Sequence, residues 1–114
     1  SRGGVFYPIA AGRGYHAGEG AWGTCVQTYN PATKQGISHG NSELIGIECE
    51  NTGAADDPWP PVQMDALYKG VNALRKHIGA PVSMVAGHRE YAPHRKQDPD
   101  FDMNTFRRRL LGFA

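Results

Sequence analysis

The sequence predicts an α/β domain in which helices flank a small mixed β-sheet. Three short stretches, residues 5–9, 44–50 and 82–86, are rich in the β-branched and aromatic residues that favour strands. An apolar stripe at helical spacing begins near Pro61, and Asp102 marks the start of a second helix. The order strand, strand, helix, strand, helix is that of a small sheet covered by helices.

Length and composition indicate one domain over residues 1–114, because 114 residues can bury one core but not two. A net charge of +1 and 20% charged residues provide no field that points to nucleic acid. No apolar run approaches the ~20 residues that span a bilayer, and no signal peptide is visible before the first strand-like segment. The two cysteines, Cys25 and Cys49, are too few for a disulfide framework and are expected to be free thiols.

The first half of the chain is predicted to contain two strands joined by a long loop. The strand at 5–9 carries Pro8, which favours a sheet edge. Residues 10–43 hold many glycines and no sustained helical period, and a loop of this length suggests function. Alternation over 44–50 places Glu48 and Glu50 on one face. That face is either a solvated outer surface or, given two carboxylates, part of a site.

Two helices are predicted in the second half. Pro61 suits a first helical turn, and Gly79 supplies a C-terminal stop. Asp102 can cap the final helix, which is expected to run to about Leu111. The first helix should bury an apolar stripe made of Leu67, Val71, Leu74 and Ile78.

Residues 87–99 carry the chemistry on which the functional interpretation depends. This stretch brings an imidazole (His88), an ammonium (Lys96) and a carboxylate (Asp98) within eleven residues. Its two prolines prevent a regular helix across it. We therefore expect the loop to fold back, so that Asp98 meets His88 where the 82–86 strand ends.

These residue types suit a zinc hydrolase. Catalytic zinc takes three nitrogen or oxygen ligands and keeps one position for water, whose pKa it lowers to about 7. His88 and Asp98 are candidate ligands, Glu48 is a candidate general base, and Lys96 could stabilise an oxyanion. Each residue also has a structural interpretation: His88 could be a satisfied core histidine, and Asp98 could cap a turn.

Three stretches of the chain resemble the zinc-dependent N-acetylmuramoyl-L-alanine amidases. Residues 87–99 resemble the family's ligand motif, residues 41–48 its catalytic-glutamate stretch, and residues 15–18 its His-Ala-Gly loop. The family includes phage endolysins and bacterial recycling amidases, and it shares its fold with the peptidoglycan recognition proteins. The resemblance covers nearly the whole chain and implies that His16 and Asn41 contact the substrate.

The resemblance also implies a reaction and its residues. The family hydrolyses the amide between N-acetylmuramic acid and L-alanine in the peptidoglycan of the bacterial cell wall. By position in the motifs, the resemblance implies that His88 and Asp98 bind zinc and that Lys96 assists catalysis. It also implies that Glu48, rather than Glu50, is the catalytic glutamate.

One expected feature of the family is missing from this sequence. The family's first zinc ligand is a histidine on an earlier strand, which a helix follows, and we expect this chain to lack both elements. Three explanations are open. The first is that the chain is a piece of a longer domain and pairs with a missing N-terminal segment of that domain. The second is that another histidine (His16, His39 or His94) replaces the ligand. The third is that the chain is a metal-free peptidoglycan-binding module.

Overall fold

The fold comes from a computed structural model that describes residues 1–12, 14–23, 29–30, 35–36 and 40–113, with only the backbone at 29–30 and 35–36. Cys25 and His39 lie outside these residues. Contacts divide the chain into two compact units. We call one the helical unit (Ser1–Tyr7, Cys49–Val85 and Asp100–Ala114) and the other the loop unit (Pro8–Glu48 and Ala86–Pro99).

The predicted mixed β-sheet is wrong for the part of the chain that the structure describes. Residues 5–9 and 44–50 form no strand, and Val82–Met84 is a 3₁₀ helix. The strands in the described residues are β1 (Tyr29–Asn30) and β2 (Gln35–Gly36), which form an antiparallel ladder of two residues each.

The physical reason is that alternation alone does not make a strand. It fixes which side chains share a face, but a strand also needs a neighbour that completes its ladder hydrogen bonds. At 82–86 the backbone groups bond locally instead: the Met84 amide donates to the Pro81 carbonyl at 3.0 Å, and the Val85 amide donates to the Val82 carbonyl at 3.0 Å. The predicted α/β class therefore gives way to a mainly helical one.

The long helix of the helical unit confirms its predicted bounds. α2 spans Pro61–Ile78, after a four-residue α1 (Gly40–Glu43) in the loop unit. Proline occupies the first turn of α2, where its missing amide hydrogen has no intrahelical role. Gly79 ends the helix at φ 70°, and its amide donates to the carbonyls of Arg75 and Lys76.

The final helix also follows its predicted signal. After α3 (His88–Tyr91) in the loop unit, α4 spans Met103–Gly112. The Asp102 carboxylate accepts from the Thr105 amide at 2.8 Å and from its hydroxyl at 2.6 Å, as an N-cap should. None of the helices in the described ranges combines the length and apolar character of a membrane span.

The core of the helical unit forms where α2 and α4 pack together. The rings of Tyr68 and Phe106 stack with centroids 4.9 Å apart, and Leu110 is fully buried. The predicted stripe of α2 is only half correct, since Leu74 and Ile78 are 37% and 59% exposed. The buried residues of α2 end one and a half turns earlier; they are Gln63, Leu67, Tyr68, Val71 and Asn72.

Asp57 and Cys49, both outside the helices, have shifted pKa values. The Arg2 guanidinium bonds both oxygens of Asp57, and this contact, with a bond from the Thr52 amide, holds the pKa of that carboxyl well below its usual range. Cys49 is a free, half-buried thiol, as expected, and burial raises its pKa.

The loop unit has a small core around Tyr91. Tyr91 is 4% exposed and clusters with Ala17 and Ala92, while Trp22 and Leu44 pack against the cluster. The Tyr91 carbonyl accepts from the Ala21 amide at 2.9 Å, which joins the glycine-rich segment to α3. This unit contains every residue of the candidate site.

Candidate functional site

His88 begins α3 instead of ending a strand. The preceding Gly87 amide donates to the Glu90 side chain at 2.9 Å, which satisfies one of the free amides at the helix start. The helix ends at Tyr91, two residues before Pro93, and the chain then turns back. The site histidine is thus fixed by a single helical turn.

The structure brings His88 and Asp98 together. The His88 Nδ1 atom lies 3.4 Å from Asp98 Oδ2. The return of the loop is held by its backbone, because the Arg89 amide donates to the Asp98 carbonyl at 2.7 Å. The side chain of His88 is 22% exposed and that of Asp98 is 62% exposed, so solvent reaches the pair.

The other ring nitrogen of His88 is held by the backbone. Nε2 lies 2.9 Å from the Ala17 carbonyl oxygen. A carbonyl can only accept, so this contact is a hydrogen bond only when Nε2 carries the hydrogen. In the neutral ring, Nδ1 then carries a lone pair, and the Asp98 carboxylate lies next to it. Two acceptors in this position repel each other unless a proton or a metal cation lies between them.

The pair fits zinc as two of its ligands. Imidazole nitrogen and carboxylate oxygen are usual zinc ligands, and at bond lengths of about 2.0–2.2 Å two ligands of a tetrahedral ion lie roughly 3.3–3.5 Å apart. A histidine that binds metal also commonly donates a hydrogen bond from its second nitrogen to a carbonyl or carboxylate, and the Ala17 carbonyl lies in that position beside Nε2. Across the described residues, however, no cluster of three His, Cys, Asp or Glu side chains could hold a metal.

The two proposed catalytic residues lie outside this pair. Glu48 and Lys96 are exposed. Within the described part of the chain, neither side chain forms a hydrogen bond or ion pair with His88 or Asp98. The backbone of Lys96 is fixed, since its amide donates to the Ala92 carbonyl at 2.9 Å. Their catalytic roles stay predictions.

The His16 loop is organised by Asn41. The Asn41 Oδ1 atom accepts from three consecutive amides: His16 at 3.1 Å, Ala17 at 2.8 Å and Gly18 at 3.0 Å. The His16 ring packs on Gly46, where any side chain would collide with it. Asn41 therefore shapes the loop, and the substrate contacts of His16 and Asn41 stay predictions.

The candidate substitutes for the third ligand have different surroundings. His16 is packed against Gly46. The two ring nitrogens of His94 are buried from solvent. His39 lies outside the residues that the structure describes.

Two residues near the pair were not assigned a role from the sequence. The Tyr91 hydroxyl donates to the Gly18 carbonyl at 2.6 Å. Arg95 donates from Nε and Nη2 to the Glu19 carbonyl at 3.0 and 2.7 Å, and from Nη2 to the Ala17 carbonyl. The acceptors of these bonds are backbone oxygens, which any residue type provides, so no sequence pattern predicts the bonds.

A comparison with known protein families decides the relationship. The profile described as N-acetylmuramoyl-L-alanine amidase matches residues 2–101. The chain belongs to this family. The matched region contains the whole candidate site, and the resemblance inferred from the motifs is confirmed. No curated protein and no solved structure gives a match. Membership in the amidase family supports a general function in peptidoglycan cleavage or binding.

Proposed function

We propose that this amidase-family chain is a zinc-dependent enzyme that hydrolyses the amide between N-acetylmuramic acid and L-alanine in peptidoglycan. The observation that carries the proposal is the approach of His88 Nδ1 to Asp98 Oδ2 at 3.4 Å, with the other ring nitrogen, Nε2, 2.9 Å from the Ala17 carbonyl oxygen. This arrangement leaves two ligand atoms facing one point that solvent can reach.

His88 Nδ1 and Asp98 Oδ2 would hold the zinc. When bound, zinc supplies Lewis acidity, which polarises the scissile carbonyl and makes water a better nucleophile. The exposed carboxylate of Asp98 would let the ion enter from solvent, while the partly buried contact between Nε2 and Ala17 would keep the ring in one orientation.

Glu48 and Lys96 would carry the proton and charge transfers. As water attacks the carbonyl carbon, the Glu48 carboxylate takes one of its protons and the Lys96 ammonium donates a hydrogen bond to the oxyanion. The C–N bond then breaks, and the protonated Glu48 gives its proton to the leaving amine of L-alanine. Both side chains are exposed, so a substrate can reach them. His16 and Asn41 would contact the glycopeptide beside the pair.

Replacing Glu48 with glutamine tests the catalytic proposal. Glutamine keeps the shape but cannot accept the proton, so we expect turnover to fall by roughly 10²–10⁴-fold. The measurement is the release of L-alanine amino termini from purified peptidoglycan in the presence of zinc. Zinc content and the circular dichroism spectrum should not change.

Glu50→Gln is the matched control. Glu50 lies in the helical unit, where its carboxylate accepts from the Arg2 amide at 2.8 Å, and its loss should leave turnover within a few-fold of the starting protein. Full activity of Glu48→Gln, or an equal loss in both variants, would refute the assignment of the base.

A non-catalytic peptidoglycan-binding module is the second candidate. It is favoured by the same 3.4 Å separation, because a protonated His88 and Asp98 at this distance form an ion pair without any metal. The two functions differ in one result. A protein that sediments with peptidoglycan but releases no amino termini at any zinc concentration is the binding module.

A further inference from the structure

The carbonyl of Ala17 controls which nitrogen of His88 can bind a metal. A neutral imidazole carries one hydrogen, and the bond to Ala17 places it on Nε2. If this carbonyl moved away, Nε2 would lose its acceptor. The hydrogen could then reside on Nδ1, where the Asp98 carboxylate would accept its hydrogen bond. The position of one backbone oxygen therefore selects the form of the ring that leaves Nδ1 as a ligand.

Three side chains hold the segment that carries this carbonyl. Asn41 binds its amides from one side. The Tyr91 hydroxyl binds the Gly18 carbonyl at 2.6 Å. Arg95 binds the Glu19 carbonyl and is the one of the three that also donates to the Ala17 carbonyl itself.

Arg95 shares its acceptor with His88. The Ala17 oxygen has two lone pairs, so it can accept from Nε2 of His88 and from Nη2 of Arg95 together. Donation from a cation polarises the Ala17 carbonyl. The forked guanidinium also fixes the direction of this carbonyl, because the same group bonds the Glu19 carbonyl. Gly18 lies against this fork: a Cβ there would come within 2.5 Å of Arg95 Nη2.

We propose that Arg95 is a positioning residue that fixes the Ala17 carbonyl and thereby keeps His88 in the form with hydrogen on Nε2 and Nδ1 available to metal. The proposal deepens the proposed function, since it concerns the ligand His88. On this proposal the adjacent cations Arg95 and Lys96 have different roles. Arg95 acts on the ring through a backbone carbonyl, whereas Lys96 is exposed and assigned to the substrate.

We expect the fold to tolerate the loss of Arg95. The residue is exposed, and the Asn41 and Tyr91 contacts to residues 16–18 do not involve it. An Arg95→Ala variant should therefore fold, which circular dichroism and thermal melting can establish. Arg95→Lys keeps the charge but loses the rigid planar fork of the guanidinium, so it should show a smaller effect of the same kind.

The test measures the ring form and the metal affinity separately. Long-range ¹H–¹⁵N spectra of protein with ¹⁵N-labelled histidine report which nitrogen of His88 carries the hydrogen, and the loss of signals in His88→Gln assigns them. Without metal, the starting protein should show hydrogen on Nε2, and Arg95→Ala should show a mixture of both forms. Zinc affinity, from competition with a chromogenic chelator, should fall about 10-fold or more in Arg95→Ala.

Arg108→Ala is the matched control. This exposed arginine on α4 bonds Thr105 of its own helix, and its removal should change neither reading. An unchanged ring form in folded Arg95→Ala would overturn the proposal. Failure of the starting protein to bind zinc would instead refute the zinc site of the proposed function, while the spectra would still test the role of Arg95.

Discussion

The two units of this chain are stabilised in different ways. The helical unit is held by large buried side chains, with Tyr68 and Phe106 stacked between α2 and α4 and Leu110 fully buried. Among the described residues of the loop unit, Tyr91 is the large side chain in the buried cluster, and two alanines accompany it. Its remaining order comes from side chains that bond backbone carbonyls and amides, as Asn41 and Arg95 do.

The difference separates stability from position. Buried apolar area supplies free energy of folding without fixing directions, because the hydrophobic effect has no angular dependence. Hydrogen bonds contribute little net energy but fix directions closely. A site whose ligand atoms must face one point is therefore expected in the loop unit, where the structure has His88 and Asp98.

The largest effect on stability should come from the helical unit. Leu110→Ala removes a fully buried side chain from α4 and should lower the free energy of unfolding by about 2–5 kcal/mol, measured by urea denaturation. Leu111→Ala is the control, since Leu111 is 71% exposed and its loss should cost less than about 0.5 kcal/mol. Equal effects of the two changes would contradict the placement of the core.

A smaller effect is expected where the loop unit depends on glycine. Gly18 has φ +67°, and an added Cβ would also meet the Arg95 guanidinium. Gly53 has φ +80° with nothing within 4 Å of its Cβ position. Both changes to alanine should lower the free energy of unfolding by about 1–2 kcal/mol, the cost of a left-handed backbone.

The contrast between the two glycine variants isolates the contact with Arg95. Gly18→Ala should additionally weaken zinc binding, because it displaces the guanidinium from the carbonyls of Ala17 and Glu19, whereas Gly53→Ala should not. Urea denaturation measures the free energy of unfolding of each variant, and competition with a chelator measures its zinc affinity. If both variants retain zinc affinity, the link between the Gly18 segment and the site is wrong.

The sequence predicted the helices α2 and α4, but it predicted neither the short helices α1 and α3 nor the strands β1 and β2. Local signals decide where helices begin and end, and Pro61, Gly79 and Asp102 act as their types suggest. A strand depends on a partner elsewhere in the chain, and apolar alternation does not reveal whether one is present. Burial of the last part of α2 also depends on a partner, which is why Leu74 and Ile78 are exposed.

The candidate site was predictable where its chemistry lies in side chains. The spacing of His88 and Asp98 around two prolines indicated that they would meet, and the structure brings them to 3.4 Å. The bonds of Arg95 could not be inferred, because carbonyls such as that of Ala17 are present at every position. The roles of Glu48 and Lys96 rest on the family motifs.

The central claim is that His88 and Asp98 hold zinc, and the most direct measurement is zinc stoichiometry. Elemental analysis after dialysis against a small excess of zinc should give one ion per chain for the starting protein. Asp98→Asn removes the anionic oxygen that faces Nδ1 and should lower the occupancy severalfold, with the circular dichroism spectrum unchanged. Unchanged stoichiometry in Asp98→Asn would contradict the account.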